Sequence, residues 1–344
     1  MSPRAYLSAC GIGLGHARRI EALGVALSRI GFETYFSSYS LGYEYLLRRF
    51  GPLRVMNSPQ LDLLFREDGT FDFHNLMARM GVRAPPRFYK QVALEYSRIV
   101  RLQPNVVISD SRLSTVMAGW LAGIPVITVL NQLKVLIPRA RPMKTITKVM
   151  KRFSERVFYD ILDFNWRRSE RLVIPDFPPP YTISQGNIEI HERHMKMLFM
   201  PGPIVALDLT KIDDGREVRK RLGLNGMPHV VVMVSGTHSE RLLAYRMLHP
   251  QLKRLAEKFV VTAVLGLNDF ANVQSGRLRI YGYVEDVYGL MASADVLVST
   301  GGQTTLAEAM KLGIPMVIAP PKGHTEKVGN ARSVVRLGVA EMLY

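Results

Sequence analysis

The residues best suited to chemistry stand near the start of the chain, in the segment GIGLGHARRI at 11–20. Its glycines, among them Gly13 and Gly15, allow the backbone to approach a ligand closely. His16 follows them, and an imidazole with a pKa near ~6.5 can take a proton from an alcohol. The segment therefore predicts a ligand loop with His16 as a general base, against the alternative of a structural histidine.

The glycine spacing also raises the alternative of a dinucleotide loop. Such a loop needs G-x-G-x-x-G and an acid at the end of the second strand. Here the spacing is G-x-G-x-G, and the next predicted strand, TYFSSYS, ends without an acid, so a nicotinamide cofactor has weak support. Asp110, at the end of the predicted strand NVVISD, is the acid expected to orient His16. Arg18 and Arg19 are interpreted as surface or phosphate contacts rather than as chemistry.

A second segment with candidate ligand-binding residues, at 299–331, follows a predicted strand in the other half of the chain. Hydroxyls and N–H groups at the start of a helix suit a diphosphate. The residues that offer them are Gly301, Gly302, Gln303 and Thr304. Glu308, about one turn further, is placed to accept hydrogen bonds from a ribose diol, unless this is a capped core helix with one exposed acid. Candidate partners for sugar hydroxyls in the next loop are Glu326, Lys327 and Asn330.

One pattern occurs twice and indicates which elements position these residues. NVVISDSRLSTVMAGWLAGIPVIT begins at Asn105, and DVLVSTGGQTTLAEAMKLGIPMVI begins at Asp295, an offset of 190 residues. Each copy predicts a strand, a turn, a helix, a Gly-Ile-Pro turn and a second strand, which is a βαβ unit. Strands and helices alternate in both halves, which indicates parallel sheets covered on both faces.

The predicted fold is therefore α/β, with two doubly wound Rossmann-like domains that face each other across a cleft. The first domain covers 1–203 and the second covers 204–344, with the Pro-rich segment 174–181 as a second candidate boundary. Because ligands bind beyond the carboxyl ends of parallel strands, the polar groups of both halves are expected at these edges.

The net charge of +16 favours an anionic partner, which would be nucleic acid, a phosphorylated ligand or acidic lipid. Much of this charge lies near a predicted amphipathic helix at 143–161. Basic residues largely on its polar side are candidate membrane-docking residues, namely Lys144, Lys148, Lys151 and Arg152. An ordinary surface helix whose apolar side packs on its own domain is the equally open alternative.

The uncharged segment LSTVMAGWLAGIPVITVL, at 113–130, has a length near that of a membrane span. Gly123 and Pro125 interrupt it, which favours a buried helix, a turn and a buried strand. The single cysteine, Cys10, excludes an intrachain disulfide and suits a reducing compartment.

The motif at 299–331 resembles the C-terminal domain of family 28 glycosyltransferases. That group includes the transferase that adds N-acetylglucosamine to the peptidoglycan lipid precursor and the plastid galactolipid synthases. The second-step transferase of dolichol-linked N-glycans is similar too. GIGLGHARR resembles the group's Gly-Gly-x-Gly-Gly-His loop. The resemblance covers most of the chain and is patchy at 40–100 and 135–230.

This resemblance implies a GT-B fold and inverting transfer from a nucleotide sugar, usually UDP-linked, with neither a metal nor another cofactor required. It implies that His16 is the base, that the helix start after Thr300 binds the diphosphate, and that Glu308 binds the ribose. It assigns the donor sugar to Glu326, Lys327 and Asn330. VSGTH matches the family's other phosphate loop, which adds Ser235, Gly236 and Thr237.

Two departures from the family matter. Many relatives have glutamine where Lys327 stands, so the donor sugar is not carried over. Relatives often continue beyond the position of Tyr344, so a compact variant or a shortened chain is expected.

The favoured function is an inverting glycosyltransferase that moves a sugar, N-acetylglucosamine being one candidate, from a UDP-sugar to a lipid-linked or glycolipid hydroxyl. A non-hydrolysing nucleotide-sugar 2-epimerase, which would need several acids around the sugar, is an alternative. A non-enzymatic module for lipid or nucleic acid is another, but it leaves the paired loops unexplained, so nucleic acid is disfavoured. We expect a cytoplasmic protein attached peripherally to the inner face of the cell membrane, and a homodimer is left open.

Overall fold

The computed structural model of the chain describes residues 2–11, 14–60, 73–130, 133, 145–188, 191–205, 215–224, 226–267, 269–321 and 324–343. Contacts divide the described residues into two compact units. The first holds residues up to 205 except Tyr181–Gly186, and the second holds Tyr181–Gly186 and the residues from 215 onwards.

The first unit alternates strands and helices. Its elements are β1 Arg4–Ala9, α1 Gly15–Arg29, β2 Glu33–Ser38, α2 Ser40–Phe50, β3 Val55–Asn57, α3 Phe73–Leu102, β4 Val106–Asp110, α4 Leu113–Leu121, β5 Val126–Val129, α5 Thr145–Trp166, β6 Arg171–Val173, α6 Glu192–Met195 and β7 Leu198–Phe199. Among the described residues, seven strands form one sheet in the order β3-β2-β1-β4-β5-β6-β7. The pairings between neighbouring strands are parallel.

The central strand shows why both faces of this sheet are covered. Successive side chains of a strand point to opposite faces. Leu7 of β1 packs with Ile20 and Phe36, whereas its neighbour Tyr6 packs in a separate cluster with Val107. Both faces are therefore apolar and each packs against helices, as expected for a parallel sheet.

The second unit repeats this architecture. Its elements are α7 Gly215–Arg221, β8 His229–Met233, α8 His238–Leu255, β9 Val260–Val264, β10 Val273–Ser275, β11 Leu278–Tyr281, α9 Val287–Ala292, β12 Val296–Ser299, α10 Gln303–Leu312, β13 Met316–Ile318, α11 Thr325–Arg336 and β14 Ala340–Met342. In the part of the chain that the structure describes, the sheet order is β10-β11-β9-β8-β12-β13-β14. Only the β10–β11 pairing among these is antiparallel. The predicted α/β fold with two doubly wound parallel sheets is confirmed.

The segment Tyr181–Gly186 groups with the second unit, although the sequence prediction placed it in 1–203. The reason is local: Arg336 of α11 donates from Nη2 to Gln185 Oε1 at 2.9 Å. A 3₁₀ turn at Gln185–Asn187 begins there.

The uncharged segment 113–130 folds as the helix α4, a turn and the strand β5, as predicted. Val116, Val126 and Val129 are buried, and Gly123 takes a positive φ of 68° in the turn. Across the described helices, none is both long enough and apolar enough to cross a membrane.

Candidate functional site

Strand order places one candidate region at the sheet edge of each domain. In a doubly wound sheet, ligands bind beyond the carboxyl ends of the strands, where the strand order reverses. That point lies between β1 and β4 in the first sheet and between β8 and β12 in the second. His16 follows β1 and Asp110 ends β4, whereas Ser235 follows β8 and Thr300 follows β12.

In the first domain, the structure brings the two predicted catalytic residues into contact. His16 Nδ1 lies 2.7 Å from Asp110 Oδ1. The strands set this distance, because Ala9 of β1 pairs with Asp110 of β4 and Cys10 N–H donates to the Asp110 carbonyl at 3.0 Å. His16 lies in the first turn of α1 and keeps 22% of its side chain exposed, so a substrate can reach the ring.

A third side chain completes this cluster. Arg19 Nε donates to Asp110 Oδ2 at 2.8 Å, and its Nη2 donates to Oδ1 at 3.0 Å. Arg19 Nη2 also lies 2.8 Å from His16 Nδ1. Arg19 is buried, so its interpretation as a surface contact is wrong: three positions along α1 bring it to the same side of the helix as His16.

Asp110 is fully buried and ionised. Burial by itself would raise its pKa, but the charge of Arg19, followed by that of His16 and the hydrogen bonds from both, lowers the pKa of Asp110 to about 2. The carboxylate is therefore a fixed negative charge behind the imidazole.

The glycine loop ahead of α1 is described in part. A side chain on Gly11 would collide with the Tyr39 carbonyl oxygen, 1.9 Å from the Cβ position, so only glycine fits there. Gly15 is the first residue of α1. The predicted loop residue Gly13 lies outside the described residues.

In the second domain, the two predicted phosphate loops meet each other. Ser235 N–H donates to Thr300 Oγ1 at 3.1 Å, and the two hydroxyl oxygens lie 2.9 Å apart. Gly302 allows this approach, because a Cβ there would stand 2.6 Å from Ser235 Oγ. Gly301 has a φ of 89°, and a Cβ there would stand 2.9 Å from the Lys327 carbonyl oxygen. Gly302 then caps α10, which begins at the predicted Gln303 and Thr304.

The start of α8 uses its own capping box. Thr237 Oγ1 accepts from Glu240 N–H at 3.3 Å, and Thr237 N–H donates to Glu240 Oε2 at 2.6 Å. The predicted phosphate contact Thr237 therefore already has partners for its hydroxyl and its N–H. Gly236, with a φ of 129°, turns the chain between Ser235 and this cap.

Lys327 joins these loops to α11. It is buried, and its Nζ donates to the Ser235 carbonyl at 3.0 Å and to Glu240 Oε1 at 3.2 Å. Burial would raise the pKa of the Glu240 carboxyl, but the charge of Lys327 and the Thr237 N–H hold it below its usual value. Burial, with the nearby Lys327, also lowers the pKa of His324, whose Nε2 lies 3.6 Å from Glu240.

The remaining predicted donor residues lie on the same helices. Asn330 is buried and donates from Nδ2 to the Gly301 carbonyl at 3.1 Å. Glu326 is half-buried in the first turn of α11. Glu308 is fully buried on α10 and accepts from the Tyr288 hydroxyl at 3.2 Å, so the alternative with an exposed acid is wrong.

The predicted membrane helix corresponds to α5, with its apolar stripe exposed. Val149, Phe153, Val157 and Ile161 follow one another at intervals of four residues, and Phe153 is 70% exposed. Of the predicted docking residues, Lys148 and Arg152 are exposed, and Lys151 is half-buried and bonds Glu155 at 2.6 Å. Lys144 lies outside the described residues.

Sequence reasoning assigned Arg19 to the wrong surroundings and missed two further charged residues of these clusters, Glu240 and His324. Two of these three residues carried a signal. Arg19 stands three residues after His16 on a predicted helix, and Thr237 and Glu240 form the T-x-x-E pattern of a capping box.

Comparisons with known proteins indicate the class of protein. Residues 230–344 match the family model "Glycosyltransferase family 28 C-terminal domain". A protein of Methanosarcina acetivorans named as an uncharacterized glycosyltransferase is 27% identical over 353 residues, covering 97% of this chain and 84% of that protein. The UDP-N-acetylglucosamine--N-acetylmuramyl-(pentapeptide) pyrophosphoryl-undecaprenol N-acetylglucosamine transferase of Clavibacter michiganensis subsp. michiganensis is 28% identical over 142 residues, or 39% of this chain and 37% of that enzyme.

Among solved structures, the glycotransferase of kitacinnamycin has a similar fold, with a TM-score of 0.64 and 17% identity, covering 99% of this chain and 86% of that one. The family match lies in the domain that holds the second candidate region, and the longer similarity spans both domains. The prediction that the chain is an enzyme of this type is confirmed. The chain is a glycosyltransferase with the GT-B fold, and its residues 230–344 are similar to the C-terminal domain of family 28.

Proposed function

We propose that this enzyme transfers a sugar, with inversion, from a UDP-sugar to a hydroxyl group of a lipid-linked acceptor at a membrane surface. The observation that carries the proposal is the contact of 2.7 Å between His16 and the buried Asp110 at the switch point of the first sheet. An imidazole oriented by a carboxylate is suited to removing a proton from an alcohol.

In the proposed reaction, the acceptor oxygen bonds to the anomeric carbon as the bond from that carbon to the diphosphate oxygen breaks. The hydroxyl proton passes to His16 Nε2, because Nδ1 faces Asp110. A positioned base of this kind contributes typically about 10²–10⁴-fold to the rate.

The second domain would stabilise the negative charge that the leaving diphosphate gains. Support comes from the start of α10 behind Gly301 and Gly302, and from the Ser235 loop beside the Lys327 ammonium. Helix N-termini and fixed donors stabilise such charge, so we propose that no metal or other cofactor is required. The proposed diphosphate residues are Ser235, Gly236, Thr237, Gly301, Gly302, Gln303 and Thr304.

Glu308 is the proposed ribose ligand, and Glu326 and Asn330 are the proposed donor-sugar residues. Lys327 stands between two roles, because its ammonium already contacts the Ser235 loop. UDP-N-acetylglucosamine is the first donor to test, since the Clavibacter relative is named for it.

Binding of the enzyme to an anionic membrane would bring the first domain to a lipid acceptor. The exposed apolar stripe of α5, from Val149 to Ile161, lies beside the exposed Lys148 and Arg152. Apolar area and basic charge together hold amphipathic helices in the headgroup region. We propose the inner face of the cell membrane as the place of action.

A panel of nucleotide sugars tests the reaction. We expect release of UDP only when a lipid-linked hydroxyl acceptor is present, with inverted anomeric configuration in the product by NMR and undiminished turnover in EDTA. Release of a 2-epimer without any acceptor would replace transfer by epimerisation. If neither the sugars nor UDP bind, the proposed function is wrong.

Cosedimentation with liposomes tests the membrane proposal. The variant Lys148→Glu, Lys151→Glu, Arg152→Glu should lose most of its binding to anionic vesicles, because each basic residue contributes about 1 kcal/mol near such a surface. The matched control carries Lys253→Glu, Arg254→Glu and Lys258→Glu, at exposed positions in the second domain. Equal binding by both variants would place any membrane contact elsewhere.

A further inference from the structure

Arg19 and His16 compete for the same carboxylate oxygen. Asp110 Oδ1 lies 2.7 Å from His16 Nδ1 and 3.0 Å from Arg19 Nη2, and those two nitrogens are 2.8 Å apart. A guanidinium only donates hydrogen bonds and an ionised carboxylate only accepts them. His16 Nδ1 thus faces a donor and an acceptor at once and can satisfy only one of them.

The charges decide which arrangement is stable. With its hydrogen on Nδ1, His16 donates to Asp110 and leaves the Nε2 lone pair available for a substrate proton. A second proton on Nε2 would create an imidazolium whose Nδ1 lies 2.8 Å from the guanidinium, with a single carboxylate between the two cations. Like charges at this distance disfavour the second cation, because arginine side chains in proteins carry a positive charge.

We propose that Arg19 is a positioning residue that neutralises Asp110 and so keeps the His16 imidazole uncharged and ready to accept the acceptor's proton. The proposal rests on the proposed role of His16 as base. A carboxylate paired with histidine alone would favour the imidazolium, which cannot act as a base. The two-point contact of Arg19 with Asp110 also fixes the plane of the carboxylate, and this orients the ring.

Among the residues described, few charged groups surround His16, so a change at Arg19 tests mainly its interaction with Asp110 and the imidazole. The charged groups that contact the ring within the described residues are Asp110, from β4, and Arg19, from α1. Arg19 and Asp110 are both buried, so water and salt screen the pair little.

The decisive experiment is the pH profile of kcat/KM for Arg19→Gln. Removing the guanidinium leaves Asp110 free to stabilise the imidazolium, so the rate should begin to fall at a higher pH on the acid side. We expect this acid limb to move up by about one to two pH units. Arg19→Lys keeps the positive charge but loses the two-point contact with Asp110. The acid limb of its pH profile should therefore stay in place while kcat falls.

Two controls separate this effect from a general loss of structure. Asp110→Asn with Arg19 in place should move the acid limb down instead, because it removes the carboxylate that would stabilise the imidazolium and leaves the guanidinium 2.8 Å from His16 Nδ1. Arg18→Gln makes the same change one position away on α1, and it should leave the limb where it is in the wild type, whatever its effect on the rate. A limb that stays fixed or moves down in Arg19→Gln would overturn the proposal, as would a limb that moves up in Asp110→Asn.

A second readout does not depend on turnover. NMR titration of the His16 ring nitrogens in ¹⁵N-histidine-labelled protein, without substrates, should show protonation at a higher pH in Arg19→Gln than in wild type. If no sugar were transferred but this shift appeared, the proposed function would fail and the role of Arg19 would stand. Identical titrations would remove Arg19 from that role even in an active enzyme.

Discussion

The units β4–α4–β5 and β12–α10–β13 have the same order of elements and similar turn conformations, but different side chains in the turn before the helix. Gly123 and Gly313 end the two helices with φ values of 68° and 69°. The residue two positions before each helix also has a positive φ, 58° at Ser111 and 89° at Gly301. Residues that are 190 positions apart in the sequence repeat therefore also share their backbone conformation at these turns.

The difference lies in what each turn carries. Asp110 ends the strand in the first copy, and Thr300 stands at the matching position in the second. The first turn holds a buried carboxylate against a guanidinium and an imidazole, whereas the second joins two hydroxyls between glycines. The comparison teaches that the fold supplies an open strand edge twice, and that the side chains suit the first edge to the proposed proton transfer and the second to the proposed anion binding.

The largest effect that this comparison predicts is on turnover. His16→Ala should lower kcat by about 10²–10⁴-fold, the contribution of a positioned base, and leave UDP affinity nearly intact. Steady-state kinetics and calorimetry with UDP measure the two quantities. His249→Ala, which removes an imidazole from α8, is the control and should keep kcat. If His16→Ala lost UDP binding in parallel, the proposed separation of proton transfer in the first domain from UDP binding in the second would be wrong.

The next effect is on stability in acid. The folded pKa of Asp110, about 2, lies below that of an unfolded aspartate, near ~3.9. The ionised carboxylate therefore stabilises the fold above pH ~4, and this contribution of about 2 kcal/mol is lost as the pH falls through about 2. Asp110→Asn should show a correspondingly flatter acid dependence of the free energy of unfolding, measured with urea. Parallel curves for variant and wild type would mean that Asp110 is not a stabilising charge.

Sequence alone predicted the edges well, because they depend on local rules. Apolar runs, glycine turns and the repeat place the strand ends, and parallel pairing then brings His16 and Asp110 together. The direction and burial of long side chains depend on packing from distant parts of the chain. For this reason the sequence did not reveal that Arg19 turns inward or that Glu308 is buried against Tyr288.

Glu308→Ala tests the proposed ribose contact in the second domain. Losing a charged hydrogen-bond partner costs roughly 1.5–3 kcal/mol, so UDP and its sugar conjugates should all weaken by about ten- to a hundredfold. Calorimetry with UDP measures this. Tyr288→Phe is the matched control, because it removes the hydroxyl that bonds Glu308 and keeps the carboxylate. Unchanged UDP affinity in Glu308→Ala would leave this residue a structural role only.

The smallest effect concerns Lys327, whose variants test where the proposed diphosphate region ends and the proposed sugar region begins. Its Nζ contacts the Ser235 carbonyl and Glu240, so we expect Lys327→Gln to loosen the phosphate loop. UDP and every UDP-sugar should then weaken together, by about three- to tenfold, as for one lost charged hydrogen bond partly replaced by the amide. Glu240→Gln removes the other half of the ion pair and should give the same pattern if Lys327 acts through that pair. A changed ranking of donor sugars in Lys327→Gln, with the ranking kept in Glu240→Gln, would instead place the ammonium against the sugar, as the sequence predicted.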